Sequence, residues 1–159
     1  MTVGVSSEQK TECKEITYLG LFPLGTSPSG KDMSIKMNVY EFWRAILEQN
    51  EDAIRDYFHE DACVNWHCTN EHFSVDEFII ANCEYPGSWD GEVERVEKVN
   101  DLLITVTHVY PKDRTASFHV VSFIKVIGDK IAAIDEYWAD DGSAPQWRLD
   151  KHIGKRIIK

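Results

Sequence analysis

The stretch from Glu92 to Trp138 constrains this chain more than any other. "EVERVEKV" (92–99), "LLITVTHVY" (102–110), "TASFHVVSFIKVI" (115–127) and "KIAAIDEYW" (130–138) are rich in β-branched and aromatic residues. Such residues suit a pleated, half-buried surface. The breaks between them are Asn100-Asp101, "PKDR" (111–114) and Gly128-Asp129. Connections this short join antiparallel neighbours, because a parallel partner needs a crossover of about a dozen residues or more. The spacing therefore predicts a four-strand meander, with Gly128-Asp129 as a two-residue hairpin turn. Apolar residues fall on both alternations, Val120 and Ile124 on one and Val121 and Phe123 on the other. Both sheet faces are thus expected to be covered, one by helices and the other by the N-terminal segment or a second subunit.

The helices come first in the chain. Val39, Phe42, Trp43, Ile46 and Leu47 recur at the spacing of an amphipathic helix with one buried face. Asn50 is placed to cap a second, short helix, with Glu51 and Asp52 in its positive first turn. "DACVNWHC" (61–68) alternates as a short strand. In "FSVDEF" (73–78) Ser74 and Glu77 make a capping box, and Phe73 and Phe78 can staple across it. That third helix is expected to run to Cys83, ahead of Pro86 and Gly87. Helices followed by a meander predict an α+β fold: an antiparallel sheet with its helices on one face.

Residues 1–36 read as an N-terminal extension, partly flexible. "TSPSGKD" (26–32) has turn composition, and "ITYLGLF" (16–22) is free to pack on the body or add a strand. The compact domain is expected over 37–150, and 151–159 form a basic tail with Lys151, His152, Lys155, Arg156 and Lys159. Overall, 17 Lys and Arg stand against 27 Asp and Glu, a formal charge of −10. That balance repels a phosphate backbone and argues against a nucleic-acid partner. "ITYLGLFPLG" is too short to cross a bilayer, so no membrane association is expected. The start shows no secretory pattern. Cys13, Cys63, Cys68 and Cys83 match no zinc or redox spacing, and a cytoplasmic protein with reduced thiols is the expectation.

The element order, together with "FHEDACVNWHCTNEHF" (58–73) and the closing "GDKIAAIDEYW" (128–138), resembles the SnoaL-like branch of the nuclear transport factor 2-like superfamily over about residues 37–150. The resemblance implies an α+β cone: a curved sheet wrapped around the first helix, with an apolar cavity between them. Members include ketosteroid isomerase, polyketide cyclases, dehydratases and epoxide hydrolases, so the fold leaves the function open. The resemblance implies a small apolar organic molecule as partner and a homodimer through the outer sheet face.

If the concave side lines a pocket, polar residues among apolar strand positions become candidates, since burying them unpaired is costly. His119, Glu136 and His67 are the proton-transfer set, with His119 expected to project into the hollow. Each has a structural alternative, His119 as a core histidine satisfied by one carboxylate. Asp135 and Glu136 alternate, so one of the two faces inward; Trp138 shares the side of Glu136 and favours it. Trp66, Glu71, Asn82, Trp89 and Trp138 are the candidate ligand contacts, Trp89 as a lid. No HxH, HxxxH or HExxH spacing supports a metal, and no cofactor is expected. In "DEYWADDGSAPQWR" (135–148) the first half reads as pocket wall. Pro145, Trp147 and Arg148 read as cover for the cone's end, with Arg148 pairing Asp140 or Asp141. Two functions fit this reading: cofactor-independent acid/base catalysis of an isomerase, cyclase or dehydratase type, or a non-catalytic ligand-binding or protein-interaction module.

Overall fold

The computed structural model describes residues 35–158. The expected extension, including "ITYLGLF", lies outside the described residues except for its last two positions. The chain forms α1 (Val39–Leu47), α2 (Glu51–Asp56), β1 (Phe58–Trp66), β2 (Glu71–Ser74), α3 (Val75–Cys83), β3 (Trp89–Val99), β4 (Leu102–Pro111), β5 (Phe118–Ile127), β6 (Lys130–Asp140) and α4 (Gln146–Asp150).

Local chemistry sets the helix starts. Asn38 caps α1, and the Asn50 side chain accepts from Ala53 N at 3.1 Å to cap α2. At α3 the capping box is complete: Ser74 N donates to Glu77 Oε2 at 2.8 Å, and Glu77 N donates to Ser74 Oγ. Between α1 and α2, Gln49 takes a left-handed conformation, φ 54°, which turns the chain within one residue.

The sheet has six strands in the order β2-β1-β6-β5-β4-β3. Strands β3 to β6 are the antiparallel meander that the short connections require. The sheet as a whole is mixed, however, because β1 pairs with β6 in parallel, Trp66 beside Glu136. The long path from β1 through β2, α3 and three further strands supplies the crossover length that parallel pairing needs. Register shifts at Val93/Arg95 and Lys125/Val126 mark bulges, which bend strands. The result is the curved, unclosed α+β sheet of a cone.

Alternation divides the sheet into two chemically different faces. Val120, Ser122 and Ile124 of β5, and Ile134 and Glu136 of β6, are buried on the concave side. There they join Phe42, Trp43 and Ile46 of α1, Ile54 of α2, and Phe78 and Ile79 of α3 in one core. The convex side carries His119, half-buried Val121 and Phe123, Asp135 and exposed Tyr137.

The C-terminal segment departs from expectation. Helix α4 buries none of its residues, and Trp147 is 57% exposed, so the cone's end is not covered by it. Arg148 lies beside the Trp147 ring, 5.9 Å from its centroid. Asp141 is instead bonded by Ser117 and His119. Among the described residues Cys68 and Cys83 are free thiols. No helix among the described residues is long and apolar enough to cross a membrane.

Candidate functional site

A cavity of about 300 Å³ lies between α1, the end of α3 and the concave sheet face. Trp43, Ile46 and Leu47 form its helix wall, and Trp66, Trp138, Phe118 and Val109 form its sheet wall. Trp89, at the start of β3, packs on Tyr85 and Phe118 with ring centroids 5.2 and 6.2 Å away. Four of the chain's five tryptophans therefore surround one space. Its polar side chains are Gln49, Cys68, Thr69, Asn82 and Tyr85, with Asp140 at the end of β6.

Beside Trp66 and Trp138, on the same concave face but not itself part of the lining, lies Glu136, 2% exposed. Its Oε2 accepts from the indole N–H of Trp66 at 2.8 Å and of Trp138 at 3.0 Å; its Oε1 accepts from Ser122 Oγ at 2.8 Å. Burial pushes its pKa above the ordinary glutamate value, against the pull of these three donors. Both protonation states can be bonded here. The carboxylate accepts all three bonds, and the neutral acid can donate to Ser122 while its carbonyl keeps the two indoles.

Of the residues singled out from sequence, Trp66, Asn82, Trp89 and Trp138 line the cavity, and Glu136 rather than Asp135 turns inward. Glu71 lies exposed on the edge strand β2, away from the cavity. His119 and His67 are not brought together with Glu136. Phe118 lines the cavity and Val120 points into the core, so His119 between them points out; Trp66 points in, so His67 after it points out. The expectation that His119 projects into the hollow is thus corrected by strand alternation.

Both imidazoles have partners on the convex face. His67 Nε2 lies 2.7 Å from Asp135 Oδ1, and its ring stacks on Tyr137 at 4.6 Å. His119 Nδ1 lies 2.6 Å from Asp141 Oδ1 and its Nε2 3.3 Å from Glu94. Partial burial pushes the Asp141 pKa up, but the bonds from Ser117 and His119 and the nearby imidazoles outweigh it, and the net shift is downward. His108 pairs with His119 across β4 and β5, their rings parallel within 7° and 4.7 Å apart. Glu94, His108 and His119 offer donor atoms within 4.8 Å of one another.

Sequence reasoning assigned Trp43 to the core stripe and passed over Phe118, Gln49 and Tyr85. Gln49 matters most among these, because its Nε2 donates to Asn82 O at 2.9 Å and to Tyr85 O at 2.7 Å. It ties the α1–α2 corner to the end of α3 at the cavity rim. No local pattern announces such a residue, since its partners lie more than thirty positions away.

No family model matches the sequence, and no curated protein is significantly similar to it. Solved structures do resemble it. A ketosteroid isomerase candidate from Kribbella flavida superposes with a TM-score of 0.64 at 17% identity, over 76% of this chain and 87% of that one. An NTF2-like protein of unknown function from Burkholderia xenovorans gives 0.62 at 21% identity, over 76% and 92%. A SnoaL-like polyketide cyclase candidate from Shewanella denitrificans gives 0.53 at 10%, over 64% and 87%. These likenesses concern the backbone, and on them the chain has the α+β cone fold of the NTF2-like superfamily that its SnoaL-like branch shares.

Proposed function

We propose that this protein binds a small, largely apolar organic molecule in the cavity between α1, α3 and the sheet. The observation that carries the reading is the convergence of four tryptophans on one space of about 300 Å³, a volume and lining typical of small-molecule sites. Indole rings supply large, rigid contact area at little entropic cost. Titration with small aromatic ligands, followed by tryptophan fluorescence, tests it. Saturable quenching that Trp138→Ala removes supports the reading, and an unresponsive signal with every ligand refutes it.

A second reading, acid/base catalysis at Glu136, is favoured by one observation: its raised pKa beside an apolar cavity. Its two oxygens are held by Trp66, Trp138 and Ser122 and it is not part of the lining, so turnover requires one of the indoles to swing aside. Glu136→Gln separates the readings, because a binding protein keeps its ligand affinity whereas a catalyst loses turnover. A second copy of the chain on the convex face belongs with either reading, supported by half-buried Phe123 and exposed Tyr137 there. Sedimentation of the purified protein measures it.

A further inference from the structure

We propose that the cavity selects an organic cation, a substituted ammonium group carrying an apolar body. This inference rests on the small-molecule reading above and adds the charge of the ligand. Three independent features of the lining point the same way.

The first is charge. Among the described lining residues the one ionisable carboxylate is Asp140, and neither Lys, Arg nor His is present. Glu136 is buried beside Trp66 and Trp138 and is not part of the lining. A cavity bordered by the Asp140 carboxylate and by no cation disfavours anions.

The second is the direction of hydrogen bonding. Trp43 Nε1 is committed to Thr105 Oγ1, and Trp66 and Trp138 Nε1 to Glu136. Gln49 Nε2 donates to two backbone carbonyls, and Asn82 Nδ2 donates to Phe78 O. Because these amide nitrogens face carbonyls, their orientation is chemically forced, which leaves Gln49 Oε1 and Asn82 Oδ1 as acceptors. Trp89 Nε1 is buried without a bond, near Gly87 in the turn before it. Against these acceptors stand the unpartnered Trp89 N–H and the Tyr85 hydroxyl as neutral donors, so among the described lining residues the one charged hydrogen-bonding group is an acceptor, Asp140, which suits a ligand that brings positive charge or N–H groups.

The third is aromatic. Trp66 and Trp138 meet at 63° with centroids 6.2 Å apart, forming two walls of a corner with both N–H edges turned on Glu136. What they offer the cavity is ring carbon. Ammonium groups are attracted to indole π surface, most strongly where water is excluded. A carboxylate accepting from the indole N–H adds electron density to the ring and strengthens that attraction.

The test uses the intact protein and three ligands of similar size: phenyltrimethylammonium, tert-butylbenzene and benzenesulfonate, titrated by calorimetry. The cation is expected to bind roughly tenfold or more tighter than its neutral isostere, with the sulfonate weakest. Asp140→Asn should weaken the cation at least twofold and leave tert-butylbenzene unchanged. Equal or tighter binding of tert-butylbenzene overturns the cation assignment while the pocket reading stands. Absence of binding by all three overturns both. An unchanged cation-to-neutral ratio in Asp140→Asn overturns the part given to that carboxylate.

Discussion

Trp66 and Glu136 sit side by side on parallel strands, and the indole N–H of the first donates to the carboxylate of the second at 2.8 Å. The bond links the parallel pairing of the sheet to the cavity wall. Through it, and through the matching bond from Trp138, one buried acid fixes the orientation of two rings that border the site. Replacing Glu136 by alanine leaves two indole N–H groups and the Ser122 hydroxyl without their acceptor. Each unsatisfied buried group costs about 1–3 kcal/mol, so Glu136→Ala should lower unfolding free energy by several kcal/mol in urea titration. Glu136→Gln keeps an acceptor oxygen for the indoles and should cost far less.

The same residue predicts a pH dependence. Burial raises the folded-state pKa of Glu136 above its unfolded value. Between those two values the folded chain holds a proton that the unfolded chain has lost, so stability falls as pH rises through that interval. Glu136→Gln has no such proton. Thermal melts across the acidic-to-neutral range should show the wild type losing ground to the variant as pH increases.

His119→Ala should leave ligand affinity in the cavity within about twofold of wild type, the reproducibility expected for a surface change, because the ring points to the opposite face. Its effect should appear at low pH instead. Asp141 has a depressed pKa, contributing stability that is present above its unfolded value and lost as pH falls through the folded one. Removing His119 takes away part of that depression. Acid titration by circular dichroism should show a weaker pH dependence over that window in the variant.

Ser74→Ala removes one arm of the capping box at α3 and should cost about 1 kcal/mol. Equilibrium denaturation measures the loss directly. Glu77→Ala, which removes the other arm, should cost a similar amount and show strong non-additivity with the first in a double-mutant cycle.

Gly91→Ala should be destabilising by about 1–3 kcal/mol, the usual range for overpacking. A Cβ there meets the backbone oxygen of His108 at 2.5 Å and the Leu47 side chain at 3.2 Å. A backbone oxygen in the adjacent strand cannot rotate away as a side chain can. The variant should melt lower and loosen the contact between α1 and β3, read as faster amide exchange at Leu47.

The sequence by itself determined the local structure. The capping box at Ser74, the apolar stripe from Val39 to Leu47, and the two-residue turn at Gly128-Asp129 each depend on residues within a few positions of one another, and each stands where the pattern placed it. The places of Trp66, Trp138 and Asn82 at the cavity were legible for a related reason, since alternation and helical period fix which side of an element a residue takes. Tertiary structure decided what those sides face. His119 looked like a polar intrusion in a buried strand, but a sheet with two partly covered faces gives such a residue two destinations, and pairing with Asp141 on the convex face satisfied it. The parallel union of β1 with β6 and the Gln49 clamp on the end of α3 likewise join residues far apart in the chain. Contacts of that range depend on how the whole sheet curves, which local periodicity does not encode.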